Sequence, residues 1–299
     1  MTDFRSSYPR YQWPNGKTSA FCFTVDVDAE SVYLWGLKNE PAQRVLGSME
    51  QRQFGPRTGS WRLLDLFDRY DIKGTFYVPG YVAETYPDLL PAFVGRGHEV
   101  GLHGYFHEFA PEISDAEFAG ALEGALAVFK KQVGLVPKGF RSPSWEMTPF
   151  MLAELKRRGL YDSSLMGFDH PYTIDGVTEI PVQWTVDDAV YFKFSGGGVD
   201  KWAPTSQDGV LDTWLDEWNV ISREGDLFML TVHDWISGRA ARIRMLEKLL
   251  DVITRTPSVW IAPVGAVADH HASSVNKDKY VVKARTPETI GPRRFAGAR

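Results

Sequence analysis

Asp226-Leu-Phe-Met-Leu-Thr-Val-His233 is an unbroken apolar run between an acid and a histidine, and it is the strongest strand signal in the chain. A short apolar run of this length reads as a buried strand. On its C-terminal side a basic amphipathic helix from Arg239 to Arg255 leads to a last strand, Val259 to Val264. On its N-terminal side, after a Gly196-Gly-Gly loop, lies a helix whose Leu211, Trp214, Leu215 and Trp218 share one face, and before that loop comes a strand at Glu179 to Val182. The alternation extends back to the start of the chain. Ser19 to Asp26 is the first strand, and Thr58-Gly-Ser caps a helix carrying Trp61, Leu64, Leu66 and Phe67 on one side. A Gly74 to Val78 strand, a Pro87 to Gly95 helix and the strand His98-Glu-Val-Gly-Leu-His103 follow. Ser114-Asp-Ala-Glu is a capping box that opens a long amphipathic helix through Phe118, Leu122, Leu126 and Phe129, stopped by Gly134 and Pro137. Gly139 to Pro143 then reads as a strand and Pro149 to Gly159 as a helix. Such repeats, about seven with no linker between them, predict one α/β domain over residues 18–264, a mostly parallel sheet or barrel with helices packed outside. Residues 1–17 are a lead segment and residues 265–299 a basic C-terminal arm. From residue 272 onward that arm holds seven Lys or Arg against two acids. It reads first as a solvated tail and second as a segment docking on the acidic body of a neighbouring subunit in a homo-oligomer.

Composition removes several classes of function. The 299 residues allow two domains, but a single α/β barrel also fills this length. With 33 Lys plus Arg against 38 Asp plus Glu the net charge is −5, so no nucleic-acid partner is expected. Cys22 is the one cysteine, which excludes an internal disulfide, a cysteine zinc site and a CxxC redox pair. Any metal must therefore be held by His, Asp or Glu. Met1 to Trp13 has neither the charged start nor the apolar run of a secretory signal, and no stretch approaches about 18 consecutive apolar residues. The expectation is a cytoplasmic protein with no membrane partner.

Chemistry concentrates at the ends of the expected strands. In Thr24-Val-Asp26-Val-Asp28 two carboxylates two residues apart point to one face, where they need a cation, a hydrogen-bonding partner or a raised pKa. This suggests a metal ligand beside a general base, against the plainer reading of a strand-ending turn. His103-Gly-Tyr-Phe-His107 brings two imidazoles to one side of a tight loop, with the alternative of two packed core histidines. His233 closes its buried strand either as a proton donor to a leaving amine or as a hydrogen-bonded strand end. Arg141, in Phe140-Arg141-Ser-Pro143-Ser-Trp145-Glu146, suits a bidentate contact to a carboxylate. Trp145 is a stacking platform or core packing. Asp169, in the polar stretch Tyr161 to Tyr172, is a candidate to orient a catalytic histidine, or else ordinary turn chemistry before Pro171. Trp184 with Asp187-Asp188 reads as a substrate-facing loop or a solvated acidic turn, and Tyr105 joins Trp145, Asp169 and Trp184 as a candidate substrate contact.

Taken in order, Asp26 and Asp28, His103 and His107, Arg141 and Pro143, and His233 resemble the motifs of the polysaccharide deacetylase family, carbohydrate esterase family four, over about residues 18–264. The first motif departs from the common form, since Val27 separates two aspartates that are usually adjacent. That spacing, with His98-Glu-Val-Gly-x-His-Gly-Tyr-x-His-Glu108, Trp145-Glu146 and Tyr161-Asp-x-Ser-Leu-Met166, is similar to the peptidoglycan-deacetylase-like branch, which includes allantoinase-type and cyclic-imide hydrolases. The resemblance implies a single distorted (β/α)7 barrel and a metal-dependent amide hydrolase. It implies one divalent ion, zinc first, on Asp28, His103 and His107, with Asp26 as base, Arg141 holding Asp26, and His233 protonating the departing nitrogen. The implied substrate is an N-acetylated sugar or peptidoglycan-type oligosaccharide. The alternatives are a small cyclic imide or amide on the same site, or a silent carbohydrate-binding protein.

Overall fold

In Ser19–Asp26 (β1) all eight residues are buried, which identifies a central strand covered on both faces. It runs parallel to Leu227–His233 (β8) along one edge, with Thr24 opposite Thr231 and Asp26 opposite His233. Its other edge is shared by Val259–Ile261 (β9), which pairs with residues 19 to 21, and Thr75–Val78 (β2), which pairs with residues 24 to 26. Beyond β2 the sheet continues in parallel through Glu99–Leu102 (β3), Gly139–Phe140 (β4) and Tyr161–Asp162 (β5). Val177–Glu179 (β7), Tyr172–Ile174 (β6) and Val281–Val282 (β10) follow, and among the described residues only the β6/β7 pair is antiparallel. Asp187 makes an isolated parallel bridge to Thr231, which lays the segment after β7 on β8. This computed structural model describes residues 9–40, 44–195 and 203–290; the Gly196-Gly-Gly loop and residues 291–299 of the arm lie outside the described residues.

Aromatic side chains bind the helices to the sheet. Phe23 of β1 packs on Phe67 at 4.7 Å, Phe76 of β2 stacks on Phe93 at 4.0 Å, and Trp218 meets Phe228 of β8 edge-on at 5.9 Å. The expected capping box is formed: Ser114 accepts from the Glu117 N–H, Glu117 accepts from the Ser114 N–H, and Gly134 ends the helix at φ 68°.

Three expectations are corrected. Thr58-Gly-Ser does not start a helix, because Leu46–Phe54 and Ser60–Arg69 run into each other through a π turn at Gly55–Gly59. Pro56 supplies no N–H there, which favours the wider turn, and a Cβ on Gly59 would lie 2.0 Å from the Asp234 carbonyl. The expected Glu179 to Val182 strand is instead a hairpin, β6 and β7. Asp175 and Gly176, at φ 48° and 87°, form its two-residue turn. The arm, as far as Ala284, is not a solvated tail. Val264–Ser273 is helical, β10 pairs with β6, and Tyr280 is buried against Tyr11 and His170. Its charge signalled exposure, but one tyrosine and His271 anchor it.

Candidate metal and catalytic centre

The register that sets Asp26 opposite His233 brings the ends of β1 and β8 together, and β3 delivers His103 immediately after Leu102. Glu108 shapes the loop that follows, accepting from the backbone N–H of Tyr105 (2.9 Å) and of Phe106 (2.8 Å). Gly104 turns at φ 70° beside that carboxylate, and His107 itself takes φ 61°. The result sets the two rings edge to face, 4.9 Å between centroids. Both Nε2 atoms face one oxygen, Asp28 Oδ1, at 3.4 Å from His103 and 3.7 Å from His107. Oδ1 is buried and, among the described residues, accepts no hydrogen bond.

This donor set fits a divalent ion. One ligand atom from each of Asp28, His103 and His107 can be chosen so that all lie within 4.8 Å of one another. Two ligands of a tetrahedral zinc ion stand roughly 3.3 Å apart, given metal–ligand bonds near 2 Å. His103 Nδ1 lies 2.7 Å from the Arg141 carbonyl, which can only accept, so Nδ1 carries the proton and Nε2 presents its lone pair to the cluster. Burial opposes charge on Asp28, but His107, His103 and His233 outweigh it and hold the carboxyl far below the ordinary range. Burial pushes His107 down to about 4, which leaves a neutral ring able to coordinate at neutral pH. His103 moves up although burial opposes it, because Asp26 and Asp28 favour its charged form. A proton there occupies the role a metal cation would take.

Asp26 and His233 flank the cluster. Arg141, wholly buried, donates from Nη1 to Asp26 Oδ1 (2.8 Å) and Thr24 Oγ1 (2.8 Å), and from Nε and Nη2 to Ser163 O and Oγ, both at 3.0 Å. Asp26 Oδ2 faces His103 Nε2 at 3.9 Å. His233 Nε2 lies 3.6 Å from Asp28 Oδ2, while its Nδ1 donates to Asp188 Oδ1 at 2.7 Å. Burial opposes its charge, yet Asp187, Asp188 and Asp28 raise it well above the ordinary histidine range.

Asp26, Asp28, His103, His107 and His233 line one cavity of about 150 Å³, walled by Trp145 and Trp184 with ring centroids 4.1 Å apart. Ser144 and Trp145 both adopt left-handed backbone, at φ 56° and 57°, which turns the Trp145 ring into that wall. Asp169 and Tyr105 are corrected. Asp169 is exposed, bonded to Gln183, and away from the cavity, and the carboxylate on His233 is Asp188. Tyr105 points away from His103 and His107, packs on Gly80 and Gly124, and donates to Glu84 at 2.7 Å. Sequence reasoning also missed Glu108, whose signal was its place directly after His107, and Arg52, which had none.

A family model described as polysaccharide deacetylase matches residues 54–162. The crystal structure of a putative polysaccharide deacetylase from Mycobacterium smegmatis superposes with a TM-score of 0.85 at 32% identity, covering 93% of this chain and 96% of that one. The chain belongs to the polysaccharide deacetylase family. Within this family of hydrolases, the peptidoglycan deacetylase of Helicobacter pylori is 27% identical over 83% of this chain and 94% of its own length. A solved Puue allantoinase shares the fold of this polysaccharide deacetylase family member, with a TM-score of 0.77 at 21% identity over 90% of this chain and 95% of that one. Among the described residues no helix is long and apolar enough to cross a membrane.

Proposed function

We propose that this protein hydrolyses the acetamido group of an N-acetylated sugar of peptidoglycan type. The observation that carries the reading is Asp28 Oδ1, buried between two imidazole nitrogens without a hydrogen bond. Asp28, His103 and His107 would hold a first-row divalent ion, zinc first; bound there it would supply Lewis acidity toward an amide oxygen and a water molecule. Asp26 takes the proton of the attacking water at Oδ2, since Arg141 engages Oδ1 and fixes the carboxylate in place. His233, its Nδ1–H committed to Asp188, delivers a proton from Nε2 to the departing nitrogen. Trp145 and Trp184 provide flat apolar surface for a sugar face.

The test is acetate release from N-acetylglucosamine oligomers by the purified chain, before and after chelation and after zinc is restored. Release that stops on chelation and returns with zinc is expected; release unaffected by chelation would overturn the assignment. The small cavity favours a second reading, a compact cyclic imide or amide, and ring opening of simple imides measured in parallel decides between them.

A further inference from the structure

Arg52 sits on the Leu46–Phe54 helix, three residues before the π turn at Gly55–Gly59 begins, and it is 6% exposed. It lines the same cavity as Asp26, Asp28, His103, His107 and His233. Its guanidinium lies over the Trp235 ring at 3.9 Å. Asp28 and Asp234 are the acids that act on it through space, and among the described residues neither forms an ion pair or a hydrogen bond with it. Asp234 is committed elsewhere, accepting from Ser60 Oγ at 3.0 Å and from the Trp235 N–H at 2.8 Å. Asp28 faces the histidines. Stacking on an indole satisfies the face of a guanidinium and leaves its in-plane N–H donors unused. A buried charge is ordinarily paired, and a cation of this kind at the wall of a substrate cavity calls for an anionic partner brought by the ligand.

We propose that Arg52 anchors a carboxylate on the substrate, so that the amide this protein acts on belongs to an acidic molecule. The planar fork of the guanidinium matches the two oxygens of a carboxylate. The proposal rests on the hydrolytic reading of the site and narrows its substrate class.

The probes are N-acetylmuramic acid, which carries a carboxylate on the same ring as its acetamido group, and its neutral methyl ester. Both are titrated calorimetrically into the zinc-loaded full chain, and acetate release is followed in parallel. The acid is expected to bind wild type at least about tenfold more tightly than the ester, a modest share of what charge pairing supplies at interfaces. The ratio is expected to fall to near one in Arg52→Met and to survive in part in Arg52→Lys. Arg52→Gln replaces Arg52→Met if the latter does not fold. Equal affinities in wild type, no measurable binding of the acid, or an acid preference that persists in a folded Arg52→Met or Arg52→Gln would overturn it. Acid preference without acetate release rejects the hydrolytic reading and keeps the anchor; acetate release with equal affinities rejects the anchor alone.

Discussion

Two groups of histidines in this protein have opposite surroundings. His103, His107 and His233 converge on carboxylates, Asp26, Asp28 and Asp188, at the C-terminal ends of the strands. His170, His270 and His271 gather instead around Tyr11 and Tyr280, where the lead segment meets the C-terminal arm. His271 bonds to the Tyr11 hydroxyl (3.1 Å) through Nδ1 and to Thr173 Oγ1 (3.0 Å) through Nε2, so both ring nitrogens are satisfied by neutral partners. Burial, with His170, His270 and Lys277 adding to it, pushes His271 down to about 4, whereas His233 is raised by its acids. Imidazoles among neutral partners are held uncharged by burial, whereas an imidazole facing buried carboxylates, such as His233, has its charged form favoured.

The largest expected effect separates the two groups outright. Asp28→Ala should abolish zinc uptake and turnover, while His271→Ala should leave the zinc stoichiometry of the folded protein unchanged. Metal analysis of both variants checks this, and retained zinc in Asp28→Ala breaks the contrast. Next, His233→Ala should lower turnover by about 10²–10⁴-fold, the range of general acid catalysis, with zinc content intact. Loss of zinc there would make His233 a ligand rather than the donor.

The smallest effect is on stability against pH. His98, lowered to about 4 mainly by burial, and His271 stay neutral in the folded chain, while the unfolded chain protonates them near 6.5. Between those values the unfolded state binds more protons, so their contribution is full above pH 6.5 and is lost as pH falls toward 4. Denaturant unfolding should show wild type losing more stability across that window than His271→Gln. Equal losses would mean that the tyrosine-lined group does not hold His271 neutral.

Asp26, Asp28, His103, His107, Arg141 and His233 were legible because each lies at the end of a strand or in the loop that follows it, and the apolar run of the strand fixes where the chain turns. Their convergence follows from strand order and register. Asp188 was visible only as part of an acidic pair, and Asp169 was chosen in its place because its neighbourhood was rich in polar groups. The segment after β7 decides between them by bridging Asp187 to Thr231, which lays Asp188 beside His233, 45 residues away. No local pattern encodes that distance.

By itself the sequence determined the alternation of strands and helices, the long capped helix at Ser114, and the acids and imidazoles of the centre, because burial periodicity and capping act over a few residues. Only the tertiary structure decided that Asp188 orients His233, that Arg52 stands in the cavity unpaired among the described residues, that Tyr105 faces away, and that the basic arm folds back on the body as far as Ala284. Those outcomes depend on contacts between segments far apart in the chain, where packing and register, rather than local propensity, set which side chains meet.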